Sequence, residues 1–159
     1  MDKNMGIDFG LAFSCLYRKN LANLGKALKK FNLSAGELPF FMHLRWFDGA
    51  TAGELSSLLH IDKATTARAV KSLENKGLIK RVRGVEDKRE NKLFLTESAK
   101  RLFVEIDKTV RERNELMMKD IAELDLDIAY SVLSKMLENI GASVNFDRTV
   151  LKNRLVDYC

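Results

Sequence analysis

The chain has 159 residues with one Pro, nine Gly, 46% hydrophobic and 31% charged residues, which excludes a fibrous or disordered chain and leaves enough apolar side chains for a core. Its net charge is +5, and the excess is local: residues 63–92 hold ten Lys or Arg (63, 68, 71, 76, 80, 81, 83, 88, 89, 92) against four acids (74, 86, 87, 90). A one-sided excess of this kind suits a polyanionic partner better than a merely solvated face, which mixes both signs.

Helical periodicity dominates from the start. Phe13, Tyr17, Leu21, Leu24, Leu28 and Phe31 recur every three or four residues and mark one face of a long helix over about 7–31, broken by Asn32 and Leu33. Ser34 and Glu37 read as a capping box for a second helix ending near Phe47, with Pro39 implying a later start or a kink. Asp48-Gly49 stops it. Thr51 and Glu54 form a second capping box, opening a short helix with Leu55, Leu58 and Leu59 apolar. After a break at His60-Ile61, Asp62 caps a helix over about 63–76 that Gly77 ends. A strand from Leu78 to Arg83, a polar turn over 84–91 and a strand from Lys92 to Leu95 follow. Thr96 caps a long helix over about 97–121, and Ala129, Val132, Met136 and Ile140 set the register of a last one over about 126–141. The fold class is therefore mainly α with a small two- or three-stranded β wing.

The two helices around residue 60 make a helix-turn-helix. In the second, Ala67, Val70, Leu73 and Gly77 are assigned to the packed side. Ala64, Thr65, Arg68, Ser72 and Asn75 are assigned to the outer side, with Lys71 and Lys76 flanking. That outer side is short, polar and cationic, as entry into a major groove requires. An ordinary amphipathic helix would carry Glu there as well as Lys. The hairpin beside it projects a loop bearing Lys88 and Arg89, with Arg81, Arg83 and Lys92 on its stems, placed to reach phosphates or a narrow minor groove. Asp87, unfavourable near phosphates, is expected to orient a neighbouring Arg.

The run ELSSLLHIDKATTARAVKSLENKGLIKRVRGVEDKRENKLFLTESAKRL resembles the winged helix-turn-helix of the MarR family of bacterial and archaeal transcriptional regulators. The marks are T-x-x-R-x-V-x-x-L-E-x-K-G-L-I, the wing motif Asp87-Lys88-Arg89, and the strand ending Leu93 to Thr96; the flanking helices follow the family order. The resemblance implies an obligate homodimer on a near-palindromic operator, acting as a repressor and released by a small-molecule effector. It implies a dimerisation helix over 1–32, a DNA-binding domain over 33–96, further dimerisation helices over 97–143, and a tail, 144–159, without a family counterpart. DNA contacts are expected from Lys63, Ala64, Thr65, Thr66, Arg68, Lys71, Ser72, Asn75, Arg81, Arg83, Lys88, Arg89 and Lys92. Arg89 is the minor-groove residue and Asp87 its partner. Ala64 departs from the Ser or Thr that members often have. Wide apolar faces on the terminal helices (Leu102, Phe103, Ile106, Val110; Leu133, Met136, Leu137, Ile140) also call for a second copy.

Family members often bind aromatic anions, for which Tyr17, Arg18, His43, Arg45 and Trp46 could supply an aromatic wall and a cation; ordinary interface packing is the competing reading. Cys15 is expected to be a buried structural thiol, with a redox-responsive regulator as the alternative. A protein-interaction module on a winged scaffold is a further alternative. With two His and two separated Cys, no metal spacing exists, and no cofactor motif or nucleophile–base pairing points to an enzyme. The N-terminus lacks a signal-peptide pattern, no apolar run reaches the roughly 18–20 residues that cross a bilayer, and two Cys build no disulfide framework, so a cytoplasmic location is expected.

Overall fold

The first helix, α1, runs Met5–Leu28 and passes into a single 3-10 turn, Lys29–Phe31; the computed structural model describes residues 5–83 and 91–141. Asn32 then takes a left-handed φ of 55°, which a short polar side chain tolerates, and the helix stops where expected. Leu28 and Phe31 are buried, whereas Phe9, Leu11, Phe13, Leu16 and Tyr17 stay exposed. Only the C-terminal end of α1 joins the core.

The Ser34–Glu37 pair makes a turn instead of a helix start. Ser34 donates its backbone N–H to Glu37 Oε2 at 2.7 Å, but α2 begins after it and runs Leu38–Trp46 with Pro39 in its first turn. First-turn amides have no partner within the helix, so the missing N–H of Pro39 is harmless there. Of the two expected effects of Pro39, the later start is the one realised. The second box is complete: Thr51 and Glu54 cap each other's backbone at the head of α3, Ala52–Leu59. Asp62 accepts from the Thr65 N–H at 2.8 Å and opens α4, Lys63–Asn75. Gly77, at a φ of +69°, lets Leu78 donate its N–H back to the Leu73 carbonyl at 3.0 Å, which closes α4.

Strands β1, Ile79–Arg83, and β2, Asn91–Leu95, pair antiparallel with Ile79 opposite Leu95. A one-residue bridge between Thr51 and Lys92 adds a third segment, held by hydrogen bonds of 2.9 Å from Gly49 N–H to Leu93 O and from Leu93 N–H to Ala50 O. The expected two or three strands are thus two strands plus a bridge. Thr96 accepts from the Ala99 N–H at 3.2 Å and donates to the Gly77 carbonyl at 2.8 Å, tying the start of α5, Glu97–Met117, to the end of α4. Helix α5 ends before the expected 121. Helix α6 starts before the expected 126, at Glu123, and runs to Asn139, with Glu123 and Asp125 in the first turn, where carboxylates are favoured.

Two units divide the chain, Met1–Asn114 and Glu115–Cys159. The core of the first brings together Phe40, Phe41 and Leu44 of α2, Leu55 of α3, Val70 and Leu73 of α4, Leu93 and Leu95 of β2, and Phe103 and Ile106 of α5. The rings of Phe41 and Phe103 stack at 6.1 Å between centroids. In the second unit, α6 buries no side chain. Among the described residues no helix is long and apolar enough to cross a membrane.

Candidate nucleic-acid interface

Helix α4 packs through Thr66, Ala69, Val70 and Leu73, and leaves Lys63, Ala64, Ala67, Arg68, Lys71 and Asn75 exposed. The outward stripe contains no acid and no bulky apolar residue. Arg68 lies along it and donates from its guanidinium to the Thr65 hydroxyl at 3.0 Å, so the two act as one hydrogen-bonding unit.

Three positions of α4 face otherwise than their sequence pattern suggests. Thr66 is 1% exposed and donates its hydroxyl to the Asp62 carbonyl at 3.0 Å, so it has no face for a groove. Ala67, expected inside, points out. The helical period explains both: Thr66 lies in phase with Ala69, Val70 and Leu73 at offsets of three, four and seven, and a Thr bonded to its own helix can occupy a core position. Ser72, expected on the outer face, is half-buried, and its hydroxyl acts on a carboxylate at the head of α2.

That carboxylate is Glu37, 5% exposed, which the sequence offered as a helix cap and not as a neighbour of α4. Both its oxygens lie 2.7 Å from Lys76 Nζ, and one accepts the Ser34 N–H. Burial pushes its pKa up, but the Lys76 ammonium, the Ser72 hydroxyl and the Ser34 groups outweigh this and hold it at about 2. No local signal could have found the pair, since its members stand 39 residues apart.

On the hairpin, alternation puts Arg81, opposite Leu93, and Arg83, opposite Asn91, on one face. Arg81 reaches back to Glu74 of α4 at 3.5 Å. Lys92, opposite Val82, falls on the other face, where its charge helps lower the Glu54 pKa behind the larger effect of the Thr51 hydrogen bonds. The three stem cations therefore do not form one surface. Asp87, Lys88 and Arg89 lie outside the described residues.

The five effector candidates are split between two helices. His43, Arg45 and Trp46 sit near the end of α2: His43 donates from Nδ1 to the Pro39 carbonyl at 2.8 Å and stacks on Phe47, and Arg45 lies 5.7 Å over the Phe103 ring. Tyr17 and Arg18 are exposed on α1, where Arg18 bonds the Ser14 hydroxyl. An open groove of about 790 Å³ between the end of α2 and α3 is lined by Phe47, Asp48, Glu54, Leu55 and Leu58 and by none of the five. Cys15, expected to be buried, is exposed, because among the described residues nothing covers that stretch of α1.

The MarR family profile matches residues 33–91, the helix-turn-helix and the start of the second strand. The uncharacterized HTH-type transcriptional regulator YwoH of Bacillus subtilis (strain 168) is 31% identical over 109 residues, covering 69% of this chain and 78% of that protein. The structure is similar to that of a MarR transcriptional regulator from Methanosarcina mazei Go1, with 34% identity, a TM-score of 0.74, and coverage of 82% of this chain and 94% of that one. A regulator assigned to the MarR family from Listeria monocytogenes, solved in complex with a 26mer DNA, matches at 26% identity and a TM-score of 0.74 over 81% of this chain and 86% of its own.

Proposed function

Because the chain belongs to the MarR family of transcriptional regulators, we propose that it acts as a homodimeric repressor on a near-palindromic operator, released by a small molecule. The observation that carries the DNA contact is the acid-free outer stripe of α4, Lys63, Ala64, Ala67, Arg68, Lys71 and Asn75. Its Ala residues let the backbone approach base edges, Arg68 can bond a guanine bidentately, and the Lys residues neutralise phosphates. Arg81 and Arg83 extend the cationic edge onto the hairpin. The tip, Lys88 and Arg89 with Asp87 as orienting partner, is assigned to the minor groove on the family resemblance.

The dimer is supported by apolar side chains that the chain leaves uncovered on α1 and α6, and two lobes on a twofold axis would read half-sites about one DNA turn, roughly 34–36 Å, apart. His43, Arg45 and Trp46 remain the proposed effector contacts from α2, with Tyr17 and Arg18 from α1. The exposed Cys15 favours a second reading, a thiol-responsive regulator, which loss of DNA binding on oxidation, absent in Cys15→Ser, would distinguish.

The primary test is a salt titration on duplex DNA selected by the protein from a random pool. Each neutralised phosphate contributes about −0.9 to the slope of log affinity against log salt, so Lys71→Ala is expected to shallow the slope by about one such step. Arg68→Ala is expected to lower affinity for the selected duplex by roughly 1–3 kcal/mol while leaving scrambled DNA less affected. Equal binding by Arg68→Ala and the unsubstituted protein would remove α4 from the interface.

A further inference from the structure

We propose that Glu37, together with Lys76 and Ser72, positions the recognition helix for sequence-specific binding without any of the three touching DNA. This rests on the reading of α4 as the groove-entering helix. The two α4 residues sit at i and i+4, so they share one face of the helix, and that face looks back at α2. Both Glu37 oxygens meet Lys76 Nζ at 2.7 Å, which directs the only charged end of Lys76 inward and leaves its side chain 24% exposed. The Ser72 hydroxyl lies on the same side and helps to favour the charged form of that carboxylate. Glu37 itself cannot swing, because one oxygen also accepts the Ser34 N–H at 2.7 Å and the residue is 5% exposed at the head of α2.

The consequence is geometric. Asp62 and the side chains of Thr66, Val70 and Leu73 fix the N-terminal and middle parts of α4, but apolar contacts alone allow a helix to roll about its axis and slide along it. A bonded carboxylate has direction. Lys76 fixes the roll at the end of the helix, and it is also the C-cap residue immediately before Gly77, two residues ahead of β1. One buried acid therefore sets both the angle at which Arg68 and Lys71 are presented and the root of the hairpin that carries Arg81 and Arg83. A charge pair taken out of water is at best weakly stabilising compared with apolar packing, and register or orientation is the best attested return for it. Lys76, which by composition would be counted among the phosphate-binding cations, is thereby withdrawn from them.

The test compares full-length protein with Glu37→Gln, Lys76→Met, the double variant and Lys76→Arg, each on the selected duplex and on a scrambled one, with thermal unfolding measured alongside. Positioning predicts that Glu37→Gln and Lys76→Met each lower affinity for the selected duplex by about tenfold. The double variant should be no worse than either, Lys76→Arg should restore most of the loss, and affinity for scrambled DNA and the salt slope should hardly move. Ser72→Ala, which removes the neighbouring hydroxyl and leaves the ion pair, should show the same pattern more weakly and serves where a charge variant fails to fold. A slope shallower by about 0.9 in Lys76→Met but not in Glu37→Gln would make Lys76 a phosphate contact and overturn the proposal. A lower unfolding temperature with an unchanged ratio of selected to scrambled affinity would overturn it too, reducing the triad to scaffold. If the unsubstituted protein enriches no duplex at all, the DNA-binding reading fails first and the positioning role with it.

Discussion

Thr66 and Ala67 exchange the places that their polarity suggests, and the exchange shows what a single residue contributes. A buried Thr hydroxyl must find an acceptor, and Thr66 finds one a turn back on its own helix, the Asp62 carbonyl. Replacing it by Val keeps the shape and removes the bond, so Thr66→Val is expected to lose about 1 kcal/mol of stability in urea denaturation with an unchanged DNA salt slope. A change of slope would return Thr66 to the interface. Gly77 is similarly constrained by backbone, not by contacts: nothing lies within 4 Å of where a Cβ would stand, but a φ of +69° strains any L side chain. Gly77→Ala is accordingly expected to cost roughly 1–2 kcal/mol in the same measurement despite the open space around it.

At the scale of the element, α4 is held at both ends and along one side. Its N-cap and its left-handed close are local, its apolar side meets the core, and Glu37 secures the last turn. The pH dependence of the fold should report that last attachment. Glu37 has a folded pKa depressed from 4.5 to about 2, so the native state favours its charged form. Its contribution is therefore complete above the unfolded value and is lost as pH falls from 4.5 through about 2. Denaturant midpoints measured across that window should fall more steeply for the natural protein than for Glu37→Gln, by an amount on the order of a few kcal/mol. Coincident pH profiles would mean that the carboxylate is not ion-paired in solution.

Over the whole molecule, the burial of apolar side chains is uneven, and the proposed homodimer rests on that unevenness. Leu55, Leu73, Leu93 and Leu95 of the helix-turn-helix unit are buried, whereas Leu124, Ile128 and Val132, at successive steps of four along α6, are 70%, 54% and 44% exposed. Phe9, Leu11 and Leu16 of α1 are left open as well. A protein of 18.1 kDa with such stripes is expected to sediment at twice its chain mass. Val132→Asp is expected to shift it to the chain mass and to weaken binding to a two-half-site duplex far more than to a single half-site. Sedimentation of the unsubstituted protein at the chain mass would rule out the homodimer.

The order of elements, the caps at Thr51, Asp62 and Thr96, the stop at Gly77, and the alternation that turns Leu93 and Leu95 inward were all legible along the chain. All are contests between a few neighbouring groups for backbone hydrogen bonds or for one side of a short segment, and a window of four or five residues contains every participant. The family resemblance also lay in such local strings. Folding in three dimensions sets which way α4 is rolled, so that Thr66 is in and Ala67 out, and that Lys76 serves a carboxylate 39 residues before it. It likewise decided that Arg81 leans to Glu74, that Lys92 lies across the sheet from it, and that Cys15 is exposed. Burial and ion pairing depend on what arrives from distant parts of the chain, and polarity read along a sequence carries no record of that arrival.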